Sequence, residues 1–181
     1  MKNVQIIENQ SVEQITNLMN NPQVTHLVLQ GKINPDVISK ISEMLKDNTT
    51  ITEINIGYGV QDFTSITEAL YNNKGVKKFV SNSTTAGDPI SNIAKALKHN
   101  NTLKALSLKN NAIKDEDARK ISEALKCNTS LETLDLSNNK ITQEGIIEIA
   151  QNLRYNNSLE SLRLEFNGID SGENNVITQI A

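Results

Sequence analysis

The residue types that most often carry catalysis or bind metals are scarce in this chain. Cys127 is the single cysteine, which excludes a disulfide or a multi-cysteine metal site within the chain. His26 and His99 are the two histidines, and neither has a nearby Ser or Asp pattern that would indicate a catalytic triad or a metal centre. The phosphate-binding patterns G-x-x-x-x-G-K-S/T and G-x-G-x-x-G are absent. We therefore predict that the protein is not an enzyme and uses no metal or cofactor, and that Cys127 is a half-buried structural thiol in a turn.

One pattern dominates the sequence instead, and it recurs three times. Leu-x-x-Leu-x-Leu-x-x-Asn-x-Ile starts at Leu103, Leu131 and Leu159, so the copies are spaced by 28 residues. This period is typical of leucine-rich repeats, in which each unit contributes one strand and one helix. Degenerate copies that keep the apolar strand core start at Val24, Ile51 and Val76.

Such a unit cannot bury its apolar face alone, so the copies must stack. We predict an α/β leucine-rich-repeat solenoid, a horseshoe arc of about six repeats with parallel strands on the concave face and helices on the convex face. The repeats fill residues 24–181 as a single domain, and residues 1–23 form an N-terminal capping half-repeat with a helix at 11–21. The chain stops at Ala181 without a polar capping unit. The last helix is then itself the cap, or the chain is a piece of a longer protein, or the open edge meets a second copy.

Asparagines recur at two fixed positions of the repeat, after the helix and after the strand. Each predicted helix ends in Leu-x-x-Asn, and the next strand opens three residues later. The Asn after the strand turns the chain, and its amide can bond backbone groups that an arc leaves unpaired. We therefore expect Asn111, Asn139 and Asn167 to form a ladder along one edge. The third copy is irregular, because Ser81 replaces an apolar residue and Thr84 replaces the Asn.

Charge is segregated along the chain. Residues 71–110 carry seven lysines against one acid, a balance of +6. Residues 131–181 carry eight acids against three bases, a balance of −5, and residues 1–70 stand at −4. The formal net charge of −3 therefore hides a basic segment between two acidic ones. Its outward-facing lysines are called the basic belt here: Lys77, Lys78, Lys104 and Lys109.

Two interpretations of the basic belt compete. In the first, the lysines keep a short sheet soluble and contribute nothing measurable to binding. In the second, they steer an acidic partner to a concave docking site that Tyr58 and Phe166 flank as aromatic anchors. Nucleic acid is not expected, since the chain is acidic and the belt lacks interleaved aromatics for stacking. The predicted partner-binding residues are Tyr58, Lys77, Lys78, Lys104, Lys109, Asp135, Arg163, Glu165 and Phe166.

The complete repeats resemble the ribonuclease-inhibitor type of leucine-rich repeat over residues 24–181, which implies macromolecular recognition by the concave face and its edges. A narrower stretch resembles the repeat domain of tropomodulins and leiomodins, which bind actin at filament pointed ends. It comprises Val76–Phe79, Asp88-Pro89, Ala96-Leu97 and Thr102–Lys104, and the similarity covers about residues 70–140. Those proteins place actin- and tropomyosin-binding helices upstream of the repeats and close them with an extended C-terminal helix, and this chain shows neither pattern.

We predict a non-catalytic protein–protein recognition module that binds a macromolecular partner through its concave face, the partner being a protein with an acidic surface. The alternatives are a tropomodulin-like actin regulator, a microbial effector acting on a host protein, and a GTPase-activating repeat protein. No apolar signal-peptide core opens the chain and no run of 18 apolar residues occurs, so neither standard secretion nor a membrane partner is expected. The expected location is the cytoplasm, or a host cell if the protein is a delivered effector. Self-association through the open C-terminal edge stays open.

Overall fold

The computed structural model describes residues 4–82 and 89–168, in which strands and helices alternate. Predictions that concern Thr84, the Ser81–Asp88 loop beyond Asn82, or the end of the chain at Ala181 lie outside the described residues. The strands are β1 (Val4–Ile7), β2 (His26–Leu29), β3 (Glu53–Ile56), β4 (Lys78–Ser81), β5 (Ala105–Ser107), β6 (Thr133–Asp135) and β7 (Ser161–Arg163). The helices are α1 (Val12–Met19), α2 (Pro35–Leu45), α3 (Thr64–Ala69), α4 (Pro89–Leu97), α5 (Asp115–Leu125) and α6 (Gln143–Leu153).

The seven described strands form one parallel sheet in chain order, β1 to β7. Parallel neighbours need a crossover, and each helix supplies one. Strands lie about 4.8 Å apart, whereas packed helices need about 8–10 Å. The array therefore bends with the sheet on its inner side, which is the leucine-rich-repeat solenoid that the sequence predicts.

The core follows from the alternation of side chains along each strand. Leu106, Leu134 and Leu162 are aligned in neighbouring strands and are buried, because every second strand residue points toward the helices. The amphipathic helices cover them with residues such as Ile121 and Leu125. In the third repeat Phe79 replaces the leucine and packs against Phe63, with ring centroids 6.3 Å apart. Truncating one of the core leucines to Ala costs about 2–5 kcal/mol through the cavity it leaves.

The N-terminal region contains a strand that the sequence did not reveal. The expected half-repeat had only a helix before residue 24, but β1 precedes α1 and pairs in parallel with β2. Gln5 occupies the inward position that Leu27 holds in β2, so β1 lacks the Φ-x-Φ pattern of the other strands. The sheet accordingly has one strand more than the expected six repeats. Helix α1 starts with a capping box, in which Ser11 Oγ accepts from Gln14 N and Gln14 Oε1 accepts from Ser11 N.

The irregular third repeat is accommodated by hydrogen bonds. Ser81 is fully buried in an otherwise apolar position, and its hydroxyl lies 3.2 Å from Asn111 Oδ1. Asn111 Nδ2 donates in turn to the Ser81 carbonyl at 2.7 Å. A buried hydroxyl is tolerated where a partner satisfies it, so a serine can occupy this slot without orphaning a polar group. The preceding helix, α3, is also short, with 6 residues against 11 in α2.

The predicted ladder of asparagines after the strands is confirmed. Asn139 Nδ2 donates to the carbonyls of Leu108 and Leu136, both at 2.9 Å. Asn167 repeats the arrangement one unit later, donating to Leu136 at 3.0 Å and accepting from Ile141 N at 3.0 Å. Each amide therefore joins its own repeat to the one before it.

A second asparagine ladder runs along the opposite edge, where helices turn into strands. Asn100 Nδ2 donates to the carbonyls of Leu70 and Asn73, at 2.7 and 3.0 Å, and Asn100 Oδ1 accepts from Leu103 N at 2.8 Å. The same contacts, with partners one repeat back, are made by Asn73, Asn128 and Asn156. The Leu-x-x-Asn pattern correctly located these asparagines at the helix ends. The sequence analysis used it only to align the repeats, so the hydrogen bonds between repeats were not predicted.

Candidate functional site

The outward side of the sheet, called the sheet face, is built from two columns of side chains set by the strand register. The first column is His26, Glu53, Lys78, Ala105, Thr133 and Ser161. The second is Val28, Asn55, Val80, Ser107, Asp135 and Arg163. Neither column offers a line of free cations, so the chemistry of the face depends on how neighbouring repeats pair their charges.

Lys78 belongs to a polar network that crosses three strands. Its Nζ lies 2.9 Å from Glu53 Oε1, and the other oxygen of Glu53 lies 3.0 Å from His26 Nε2. His26 Nδ1 lies 2.7 Å from Thr25 Oγ1, which fixes the ring. Both ring nitrogens of His26 are thus engaged in the network. Lys78 is correspondingly less available to an incoming acidic group.

Of the other three lysines of the basic belt, one forms an ion pair and two form none with the described residues. Lys104 Nζ lies 2.7 Å from Glu132 Oε1, its neighbour one repeat along. Lys77 and Lys109 make no ion pair with any residue in 4–82 or 89–168. Two of the four lysines of the basic belt are thus ion-paired to acids of neighbouring repeats, and two are not paired with any described residue.

Tyr58 and Lys109 are brought together on the loop edge, which we define as the side where strands lead into helices. They line an open recess of about 500 Å³ together with Asn82 and Asn110. Tyr58 is 88% exposed, so its ring stands free at the rim. Asn82 and Asn110 were absent from the predicted set, and their position after β4 and β5 is the signal that could have included them.

Phe166 lies on the same edge in a conformation that a phenylalanine rarely adopts. Its φ is +58°, in the left-handed region, and its side chain is 73% exposed. The equivalent residues one and two repeats earlier are Asn138 and Asn110, at +54° and +61°, which suits asparagine. Asn138 Nδ2 donates to Asn110 Oδ1, and Phe166 has no amide to extend that link.

The three charged residues of the predicted set that follow in β6 and β7, Asp135, Arg163 and Glu165, differ in how far neighbouring groups engage them. Asp135 Oδ1 accepts from Ser137 N at 2.9 Å and from Ser137 Oγ at 2.6 Å. Arg163 is exposed and lies opposite Asp135 in the register of β6 and β7. Glu165 is half-buried, and its Oε2 has no hydrogen-bond partner among the described residues. Asp135 is thus held by a local turn and is the least available of the three.

The residues that could have carried chemistry do not form a metal or catalytic site among the described residues. Cys127 is exposed, not half-buried as the sequence suggested, because the turn after α5 projects it outward. Within residues 4–82 and 89–168, no group of three His, Cys, Asp or Glu side chains is placed to hold a metal ion. His99 packs against Tyr71 with tilted rings at a centroid distance of 4.5 Å, in the turns where helices lead into strands. His26 and His99 therefore belong to separate surfaces.

Helix α5 carries a charged cluster on the solvent side. Arg119 bonds Glu116 and Glu123, one turn before and one turn after it. The hydrogen bond from Arg119 holds the pKa of Glu116 below its usual range. These side chains are exposed, so the cluster adds little to stability.

Comparisons with known proteins identify the type of array. Residues 82–177 match the family described as the TMOD/LMOD leucine-rich domain, which is more than half of the 181 residues. The chain belongs to the tropomodulin/leiomodin leucine-rich-domain family. The resemblance to this family found in the sequence is therefore confirmed, and it extends further toward the C-terminus than expected. A comparison with curated proteins gives no match.

Solved structures of this family share the fold. The Leiomodin-1 Actin-Binding Site 2 (ABS2) structure has a TM-score of 0.58 and 21% identity, covering 80% of this chain and 86% of that one. The tropomodulin C-terminal domain of Caenorhabditis elegans has a TM-score of 0.60 and 10% identity, covering 81% and 93%. At these identities the similarity concerns the fold. The family consists of binding domains, so the chain is a protein-interaction module.

The helices of the described residues are short compared with the thickness of a bilayer. The longest helices, α2, α5 and α6, have 11 residues each, and no helix in the described part of the chain is long and apolar enough to span a bilayer.

Proposed function

We propose that this chain is an actin-binding recognition module of the tropomodulin/leiomodin type. The family match over residues 82–177 is the observation that carries the proposal. It favours the tropomodulin-like alternative over general recognition by the concave face. The similarity of fold to Leiomodin-1 Actin-Binding Site 2 supports it further. The effector and GTPase-activating alternatives have no support in the contacts described above.

We place the docking surface on the loop edge and the adjoining sheet face. Tyr58 and Lys109 share a recess there, which can receive a side chain of the partner. Tyrosine is enriched among the residues that dominate interface energetics, and accessible cations steer an acidic partner to the surface. Lys109 lies on this edge and makes no ion pair with described residues, so we assign it the larger electrostatic role. Lys77 is also free of ion pairs with described residues, but it lies on the opposite edge, where α3 leads into β4. Lys78 and Lys104 must first leave Glu53 and Glu132, and they contribute less.

Phe166 supplies a second anchor on the same edge. A bulky residue in the left-handed region costs about 1–2 kcal/mol, and such strain persists chiefly where function requires the residue. Phe166 follows β7 and Tyr58 follows β3, so the two rings are four strand spacings, or about 20 Å, apart. A single protein interface covers that distance easily. One partner can therefore contact both rings.

The proposal is tested by the affinity for monomeric actin, measured by sedimentation velocity with labelled actin. Wild type is compared with Lys109→Gln and Lys104→Gln, which remove the same charge from an unpaired and a paired lysine. We expect Lys109→Gln to weaken binding about tenfold, or roughly 1.4 kcal/mol, and Lys104→Gln to have a much smaller effect. Absence of any complex with wild type at high protein concentration would contradict the proposal itself. Equal effects of the two variants would remove Lys109 from the site and leave actin binding to other residues.

A further inference from the structure

The side of the array where helices lead into strands is basic, although the chain as a whole is acidic. This turn edge comprises residues 46–52, 70–77, 98–104, 126–132 and 154–160. Its cations are Lys46, Lys74, Lys77, Lys98, Lys104, Lys126 and Arg154, and its acids are Asp47, Glu132 and Glu160. Seven cations against three acids give the turn edge a charge of +4, whereas the chain carries −3.

Four of these cations occupy one slot of the repeat. Lys46, Lys98, Lys126 and Arg154 each directly follow the last leucine of a helix, and all four are exposed. Since packed helices are about 8–10 Å apart, the slot forms a row of about 40 Å from α2 to α6. All turns of a solenoid lie on one flat side of its arc, so the row faces a single direction.

The row is not neutralised by the acids that lie one helical turn before it. Glu43 is bonded by Lys40 at 3.1 Å, and Glu123 is bonded by Arg119 at 2.6 Å. Glu68 accepts from Asn92 Nδ2 at 3.3 Å. In the described ranges, none of the four cations of the row has an ion-pair partner within 4.0 Å. Their charge is therefore available to a ligand.

Tyrosines accompany the cations. Tyr71 takes the place of the cation at the end of α3 and is partly exposed, and Tyr155 is 69% exposed with its ring 5.9 Å from Lys126 Nζ. Tyr71 also lines an open recess of about 510 Å³ between Lys46 and Lys95. The recess lies between α2 and α4, where the intervening α3 is short. Glu68 also lines the recess, but its carboxylate accepts a hydrogen bond from Asn92 and is outnumbered by the two ammonium groups, so a small anionic group can enter between them.

We propose that the turn edge is a docking surface for an anionic lipid membrane. A flat row of cations matches a planar anionic surface, and tyrosines are suited to the polar headgroup layer of a bilayer. The recess between Lys46 and Lys95 is a place for one headgroup. An acidic peptide is a poorer fit, because the second asparagine ladder already uses the turn carbonyls that an added strand would need.

A simpler role for the row is to complement the negative ends of helix dipoles. Lys46, Lys126 and Arg154 are the C-caps of α2, α5 and α6, where a cation is favourable. That role concerns stability alone and predicts no binding to lipid. The sequence led us to expect no membrane partner because it lacks a spanning segment, and adsorption by charge requires none. With the turn edge on a bilayer, the loop edge on the opposite side stays free for actin.

The test is co-sedimentation of the full chain with vesicles of phosphatidylserine and phosphatidylcholine. A charge-reversed row, with Lys46, Lys98, Lys126 and Arg154 changed to Glu, is compared with an opposite-edge control that changes Lys32, Lys109, Lys114 and Lys140 to Glu. The two variants carry the same net charge. We expect wild type and the control to bind at low ionic strength, and the reversed row to lose at least about tenfold in partitioning. Wild-type binding should also fall steeply as salt is raised.

Three results overturn the proposal. Wild type that does not bind these vesicles excludes it, as does an equal loss in the two variants, which would reflect net charge alone. Wild type that binds polyglutamate but not vesicles assigns the row to an acidic protein. Circular dichroism and thermal unfolding of each variant identify a folding defect, and the salt dependence of wild type tests the proposal independently of the variants. The reversed row should retain its affinity for monomeric actin, so this test and that of actin binding can fail separately.

Discussion

Asn128 is representative of the side chains that join one repeat to the next. It is buried, and its amide nitrogen donates to the carbonyls of Leu97 and Asn100 at 2.7 and 3.0 Å. Its amide oxygen accepts from the backbone of Ser130 and Leu131 at 3.0 and 2.8 Å. Four backbone groups in a turn that cannot form helix or sheet bonds are thereby satisfied, which is the requirement for burying them.

Replacement of Asn128 by Ala should therefore be strongly destabilising. We expect the free energy of unfolding in urea to fall by about 2–4 kcal/mol, because buried carbonyls and amides lose their partners. Asn157→Ala is the matched control, since Asn157 is an exposed asparagine in the equivalent region of the next turn, and it should change stability by less than about 0.5 kcal/mol. A similar effect of the two substitutions would mean that the ladder is not what stabilises the turns.

In contrast to Asn128, Phe166 is a position where we expect a substitution to stabilise the fold. Phe166→Asn should raise the free energy of unfolding by about 0.5–1 kcal/mol, since asparagine tolerates the left-handed conformation and can bond its neighbour Asn138. The same variant should bind actin more weakly. Tyr58→Asn is the control, because Tyr58 has no positive φ to relieve and should lose affinity without a gain in stability. Thermal unfolding and actin sedimentation of both variants decide between strain at a binding residue and a residue without a role.

At the residue scale, the sequence predicts the features that are set within one repeat, such as which side chains face outward. It does not predict the features that depend on contacts between neighbouring repeats. The aromatic residues Tyr58 and Phe166 were recognised as outward-facing from their position after the strands. The backbone angle of Phe166 was not accessible, although the Asn at the same slot in the two preceding copies was its signal. The bonds of Asn128 also reach back to the previous repeat, and the sequence pattern specifies no partner there.

At the scale of elements, the first residue of α5 accepts hydrogen bonds from the N-cap of α6. Asp115, the first residue of α5, accepts from the backbone and the hydroxyl of Thr142 at 2.7 and 2.8 Å. Thr142 is the N-cap of α6. Gly145 lies in the first turn of α6, and a Cβ there would collide with the Asp115 carboxylate and lie 2.7 Å from Ile141 Cγ2. The absence of a side chain at residue 145 lets the two helices share this carboxylate.

Gly145→Ala should thus destabilise the protein, although alanine normally favours a helix. We expect a loss of about 1–3 kcal/mol in the free energy of unfolding, from overpacking against Asp115 and Ile141. In the Asp115→Ala background the same substitution should be less harmful, giving a coupling energy above about 0.5 kcal/mol in a double-mutant cycle. An additive cycle, or a stabilising Gly145→Ala, would show that the contact relaxes without cost.

Most elements could be predicted from sequence, and the exception has a physical reason. Each of β2 to β7 begins two residues after the first apolar position of its repeat, because the Φ-x-Φ core repeats with them. In β1 only Ile7 is buried and Gln5 takes the inward position, so the core pattern is lost. That strand is defined by its pairing with β2 and not by a hydrophobic pattern. Such pairing joins residues that are distant in the sequence, so a local pattern does not reveal it.

At the scale of the molecule, the basic belt shows that a net charge summed along the sequence does not reveal on which surface each charge lies or which residue it pairs with. The segment 71–110 is basic, but its lysines are distributed among the sheet face, the loop edge, the turn edge and helix α4. Lys78 and Lys104 find acids one repeat away, at 2.9 and 2.7 Å, which a linear count cannot anticipate. Two opposite edges with different chemistry result, an aromatic loop edge proposed for actin and a cationic turn edge proposed for lipid.

The central claim is that this array is a tropomodulin-type actin module, and the most direct measurement is filament growth at pointed ends. Labelled actin is added to filament seeds whose barbed ends are capped, with and without the chain. We predict a concentration-dependent change in the elongation rate that Tyr58→Asn and Lys109→Gln weaken and Lys104→Gln largely preserves. An elongation rate that stays constant up to high concentrations of the folded wild-type chain would contradict the account.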